Sequence, residues 1–188
     1  MSVSTLLPYH RLAVSTAKAA GRLLIELSGR VRRGRMAVRY KGAVNLVTEA
    51  DQRAERLIVR RIRAAFPDHL IVAEEGSGGP VGAMDRGATW FVDPLDGTTN
   101  YAHGFPFYCV SIGLEMNGRM AVGVVYDPVR RELFSAIRGK GAVCNGRRLR
   151  VSAAGKLDES LLVTGFAYDL RTSRRNNFGH FYQFGLRS

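Results

Sequence analysis

Lysine is scarce in this chain, occurring only as Lys18, Lys41, Lys140 and Lys156. Acidic residues are also few, 16 against 28 basic ones, so the net charge is +12 and arginine supplies 24 of the cations. The arginines cluster at 30–39, 53–63, 147–150 and 171–175. Such a surface draws polyanions through counterion release. No aromatic residues interleave with the arginines for base stacking, and no nucleic-acid-binding motif is present. Attraction of small phosphate-bearing substrates is therefore the expectation, with nucleic acid as the minor alternative and a solvated face as the ordinary fate of such runs. Cysteine is nearly absent. Cys109 and Cys144 both sit in apolar, strand-like runs, and two buried, reduced thiols in a cytosolic protein are expected. No apolar run approaches the ~20 residues of a membrane span. No basic start followed by an apolar block and a small-residue cleavage site opens the chain, so no secretion signal is expected.

What is present is a core and one unusual stretch. Apolar residues make up 46% of 188, enough for one domain, or one domain and part of another. Trp90-Phe-Val-Asp-Pro-Leu-Asp-Gly-Thr-Thr-Asn-Tyr101 stands out. Residues 89–92 read as a short buried strand that Pro94 stops, because proline has no N–H for the ladder. Asp93 and Asp96 flank that break, and Gly97, Thr98, Thr99 and Asn100 follow. Carboxylates bind a hard cation, and successive N–H groups beside a glycine hold phosphate. Asp-Pro and Asp-Gly also initiate turns, but the full string is longer than a turn requires.

Elsewhere, residues 7–28 carry apolar side chains at helical spacing up to Gly29. Thr48 reads as the N-cap of a helix over 50–65, with Asp51 in its first turn. Residues 70–73 form a short strand running into Glu74 and Glu75, two adjacent carboxylates that repel each other unless a cation or donors lie near. Strands are expected at 108–116, 120–126, 132–137, 142–144 and 149–152, with tight turns at Asn117-Gly118 and Asn145-Gly146. Together they make an antiparallel meander with helices on one side, an α+β arrangement. Residues 160–166 read as one more strand, apolar enough for a sheet covered on both faces, and 176–186 as a helix. His103 reads as a loop donor.

Four segments, Lys41–Asp51, Glu74–Glu75, Trp90–Tyr101 and Leu161–Asp169, occur in the order seen in the inositol monophosphatase family, which the chain resembles along nearly its whole length. The resemblance implies a layered αβαβα sandwich of α/β class, with an α+β N-terminal lobe over 1–155 and the start of an α/β C-terminal lobe over 156–188. That second lobe is expected to be incomplete, because the Trp-Asp motif carrying a further metal ligand has no counterpart here. The implied activity is Mg²⁺-dependent hydrolysis of a small phosphorylated polyol or sugar, inositol 1-phosphate foremost. Histidinol-phosphate, fructose-bisphosphate and adenosine-bisphosphate phosphatases are sister activities. The implied metal ligands are Glu74, Asp93, the Leu95 carbonyl and Asp96. Asp51 and Thr98 would orient the attacking water, with Glu74 part of the catalytic set. Lys41 and the N–H groups of Gly97, Thr98 and Thr99 would face phosphate. One ligand short at the second ion, the chain alone is expected to turn over weakly or not at all. A homodimer is the family habit. The competing expectation is a non-catalytic remnant binding partners or nucleic acid through its arginines.

Overall fold

The computed structural model describes residues 3–31, 38–40, 46–76, 87–167, 173 and 176–187. Two compact units are present, Met1–Leu149 and Arg150–Ser188.

The first unit is a mixed seven-stranded sheet backed by two helices. The helices are α1 (Val3–Val31) and α2 (Glu49–Ala65). In chain order the strands of the sheet are β3 (Leu70–Ala73), β4 (Ala88–Asp96), β5 (Cys109–Met116), β6 (Arg119–Asp127), β7 (Glu132–Ile137), β8 (Gly141–Cys144) and β9 (Arg147–Arg148). They lie side by side in that order. Every pairing is antiparallel except β3 with β4, which is parallel. A separate two-stranded ladder joins β1 (Val38–Tyr40) to β2 (Leu46–Thr48). A short helix α3 (Thr98–Ala102) follows the signature stretch.

Period decides which faces meet. Val110, Ile112, Leu114 and Met116 alternate inward along β5, and Leu6, Ala13, Ala17, Ala20, Leu24 and Leu27 form the buried stripe of α1. Both helices pack on the sheet and on each other. Trp90 is fully buried between them, and its indole N–H donates to His69 Nδ1 at 3.0 Å. Phe66, Tyr9 and His69 surround the indole ring. The donor from Trp90 leaves the proton of a neutral His69 on Nε2, and burial lowers that imidazole's pKa. Tyr101 of α3 donates to the Leu24 carbonyl at 2.7 Å, tying the signature segment to α1.

Several expectations are corrected. Pro94 does not stop β4, which continues to Asp96. Asp93 pairs with Ser111 and Asp96 with Cys109, so Pro94 and Leu95 together oppose Val110 in a bulge. A bulge absorbs the missing proline N–H without ending the strand. The first helix runs past Gly29 to Val31. Residues 38–40 form a short strand. The last meander strand ends at Arg148, with one further bond from Leu149 N–H to the Ala142 carbonyl at 2.9 Å. Both cysteines are unpaired but half-buried rather than buried. The capping side chain of Thr48, together with Lys41, Asn45, 77–86 and Asp169, lies outside the described residues.

In the second unit, residues 161–167 form no strand, and Leu161 and Val163 are 94% and 91% exposed. Strand formation needs a neighbour to take the backbone bonds, and among the described residues none lies alongside. A helix α4 (Phe178–Gly185) instead packs Phe178 and Phe181 on Phe166, and Asn177 donates to Thr164 Oγ1 and the Gly165 carbonyl.

Gly21 shows how close α1 lies to the sheet. A Cβ there would meet the Tyr126 ring at 2.7 Å and Pro128 at 3.0 Å. Gly21→Ala gains about 1 kcal/mol of helix propensity but overpacks the contact at about 1–3 kcal/mol. The expected result is a net loss in urea titrations and a melting temperature lower by a few degrees; a rise would show that Tyr126 yields freely.

Candidate active site

The site forms where β3 and β4 end side by side. Because these strands are parallel and Ala73 pairs with Val92, the residues that follow, Glu74 and Asp93, emerge at one edge. The Glu74 N–H donates to the Val92 carbonyl at 3.2 Å and extends the ladder by one bond. At the bulge, Asp93 Oδ1 accepts the Leu95 N–H at 3.1 Å, so the turn satisfies the one amide it frees. Pro94 and Leu95 point into the core, while Asp96 is exposed.

Gly97 then reverses the chain with φ +94°, in the left-handed region. A Cβ at this position would also stand 3.0 Å from the Phe107 carbonyl, so glycine is required on both counts. The turn delivers Thr98 to the start of α3. Its hydroxyl lies 3.1 Å from Asp51 Oδ1 and 2.9 Å from the Leu95 carbonyl. A hydroxyl has one proton, so these acceptors compete for it. When Asp51 receives that proton, the lone pairs of Thr98 remain to accept from a third group. Asp51 is 2% exposed on the inner face of α2.

Electrostatically the edge is crowded. The Asp93 carboxyl is pushed up from 3.8 to about 7. Burial is the largest cause, followed by the charge of Glu74 and a hydrogen bond with it, then the charge of Asp96; the Leu95 N–H opposes the shift. Cys109 places its thiol 3.6 Å from Asp96 Oδ2, and burial together with that carboxylate pushes the thiol up to about 12. Three carboxyl groups and a peptide carbonyl thus share one strand end with no cationic side chain among the causes of the Asp93 shift. Among the described residues no three carboxylate, imidazole or thiol groups close into a ready-made metal cage. An open set of hard oxygens is nevertheless what Mg²⁺ takes, since it uses one or two carboxylates and keeps several waters or substrate oxygens. The mutual repulsion at Asp93 is the load a cation would relieve, so the residues fit the group.

Of the sequence-predicted residues, Glu74, Asp93 and Asp96 are brought into electrostatic contact, and Leu95, Thr98 and Asp51 into one hydrogen-bonded chain. Gly97 and Thr99 lie in the turn and the first turn of α3, where helix N–H groups have no intrahelical acceptor. Lys41 is outside the described residues. His103 bonds the Thr99 carbonyl at 2.8 Å, a loop role. Glu55 was missed: it is fully buried on α2, and its Oε2 accepts the Glu75 N–H at 2.6 Å. A glutamate four residues after Asp51, inside an otherwise apolar stripe, was the available signal.

These features define a class: mixed α/β proteins that gather carboxylates at a bulged strand end, behind a glycine turn and against a helix. The chain belongs to the inositol monophosphatase family, whose model matches residues 6–188. It is 46% identical over 181 residues to the inositol-1-monophosphatase of Synechocystis sp., covering 96% of this chain and 61% of that protein. With the Nus factor SuhB of Pseudomonas aeruginosa it shares 45% identity over 163 residues, 86% of this chain and 59% of that one. The solved inositol monophosphatase of Anabaena (Nostoc) sp. superposes with a TM-score of 0.81 at 40% identity, covering 97% of this chain and 65% of the other. The chain therefore spans about three fifths of the length of these relatives.

The upward shift of Asp93 has a definite sign. The folded chain keeps a proton that the unfolded chain, with its carboxyl at 3.8, has already released. Stability from this group is present below about pH 4 and is lost as pH rises through about 7. Saturating Mg²⁺ should therefore raise the melting temperature more at about pH 8 than at about pH 5.5. Equal shifts at both pH values would remove Asp93 from the cation's surroundings.

Proposed function

We propose that this chain carries the metal and phosphate centre of a Mg²⁺-dependent phosphatase acting on phosphate monoesters of small polyols or sugars, with inositol 1-phosphate as the first substrate to test. The observation that supports this most is the Asp51–Thr98 hydrogen bond set beside the crowded carboxyls of Glu74, Asp93 and Asp96. Glu74, Asp93, the Leu95 carbonyl and Asp96 would hold the metal. When bound, Mg²⁺ supplies neutralisation of the dianionic phosphate and acidifies water. Asp51, buried and acting as acceptor, draws the Thr98 proton and turns the Thr98 lone pair toward accepting one from the attacking water. The Gly97 turn and the first turn of α3 offer N–H groups of Gly97, Thr98 and Thr99 to the phosphate oxygens. Sister substrates such as histidinol phosphate or sugar bisphosphates need the same centre, and side chains that choose among them are not part of it. The unpaired thiols support a reducing, cytoplasmic setting.

A second reading rests on the outer face of α2, where Arg53, Arg56, Arg60 and Arg63 line the side away from the sheet. That basic face supports binding of nucleic acid. Such binding would fall steeply with salt and ignore Mg²⁺ chelation; a flat salt response would remove it.

Phosphate release from inositol 1-phosphate across a Mg²⁺ titration tests the first reading. Asp93→Asn is expected to abolish release, and retained Mg²⁺-dependent activity would sink the assignment. Thr98→Val should lower kcat by about 10²–10⁴-fold and leave the half-saturating Mg²⁺ concentration unchanged.

A further inference from the structure

We propose that Glu55 is a positioning residue that holds Glu74 against Asp93, an inference that rests on the metal-centre reading above. Beyond Ala73 the β3 ladder ends, and Glu74 itself is exposed, so side-chain packing does not fix it. Two backbone bonds do. The Glu74 N–H reaches the Val92 carbonyl of β4 at 3.2 Å, and the next N–H, that of Glu75, reaches Glu55 Oε2 at 2.6 Å. The two peptides that flank the Glu74 Cα are thus held from opposite sides, the one before it by the sheet and the one after it by α2. Without Glu55 the segment would keep the Val92 bond and a 3.3 Å turn bond from the Gly76 N–H to the Ala73 carbonyl, and would lose the 2.6 Å tie to α2.

Glu55 is placed for this by helix geometry. It stands one turn after Asp51 on the same inner face of α2, flanked by Ala54, Ile58 and Val59. A carboxyl with 0% exposure costs solvation that a buried apolar side chain would not. That carboxyl meets the Glu75 N–H at the point where the segment carrying Glu74 leaves the sheet. The two buried carboxyls of α2 divide the work: Asp51 sets the Thr98 hydroxyl, and Glu55 sets the direction in which Glu74 leaves β3. Groups that orient a metal ligand from behind typically change metal affinity about 10–100-fold when removed.

Half-saturating Mg²⁺ is read from the thermal shift, which needs no turnover. Glu55→Met keeps the volume but cannot accept the Glu75 N–H, and should raise that concentration about 10–100-fold. Glu55→Gln retains an acceptor oxygen and should stay within about threefold of the wild type. A merely structural role would lower the melting temperature of Glu55→Met and leave its Mg²⁺ response in place; that outcome overturns the proposal alone. A wild type with no Mg²⁺ shift at all overturns the metal-centre reading and this inference with it. If Glu55→Met does not fold, hydrogen exchange of the wild type decides. Protection of the Glu75 amide comparable with the β4 amides supports the clamp, and free exchange overturns it.

Discussion

Crowding of like charge at Asp93 is the constraint around which the rest of the molecule is arranged. Burial and two neighbouring carboxylates raise its carboxyl to about 7, and a fold tolerates such a group only if the surrounding backbone is held firmly. Here the backbone holds it twice over. The bulge at Pro94 and Leu95 turns the Leu95 amide back onto Asp93 itself, and the parallel register of β3 fixes Glu74 one residue beyond Val92. Remove either, and the carboxyls would drift apart to relieve their repulsion. The crowding would then be gone, and with it the set of hard oxygens proposed above to take a cation.

Helix α2 is the part that makes the arrangement affordable. Its buried face changes character along its length: Asp51 and Glu55 near the start, Ile58, Val59 and Ile62 toward the end. The apolar half anchors the helix in the core, so the acidic half is delivered rigidly to the strand ends. Buried carboxyls are costly on their own, but each meets a donor, the Thr98 hydroxyl for Asp51 and the Glu75 amide for Glu55. The opposite face of the same helix is rich in arginine and solvated, so one seventeen-residue element serves core, site and surface charge.

The sheet has a second face that the helices α1 and α2 do not occupy. Phe91, Met120, Val125 and Phe134 are all more than a third exposed there. The second unit likewise leaves Leu161, Val163, Phe181 and Phe184 exposed. Relatives that match this chain are longer by about two fifths of their own length, and family membership is established over nearly all of what is present.

Much of this was legible in the residues. The period of α1 and α2, the alternation of β5 and the Asn-Gly turns, whose asparagines adopt φ 52° and 48°, follow from side-chain pattern and turn chemistry, which act over a few neighbours. Asp93, Asp96, Gly97, Thr98 and Thr99 stand out by type and spacing within the signature stretch, whereas Lys41, Asp51 and Glu74 lie outside it and are singled out only by the family resemblance. Other features depended on contacts far apart in sequence. Pro94 reads locally as a strand terminator, and only pairing with β5 makes it half of a bulge. Residues 160–166 read locally as a strand, and only the lack of a neighbour among the described residues leaves them irregular. Glu55 reads locally as an ordinary helix carboxylate; the bond to Glu75, twenty residues away, gives it a place in the site. Local sequence determined which elements could form and which chemistry they carried, because propensity and pattern are short-range. Tertiary structure alone decided which carboxyls would meet and what would hold them there, because that depends on register and on packing between distant segments.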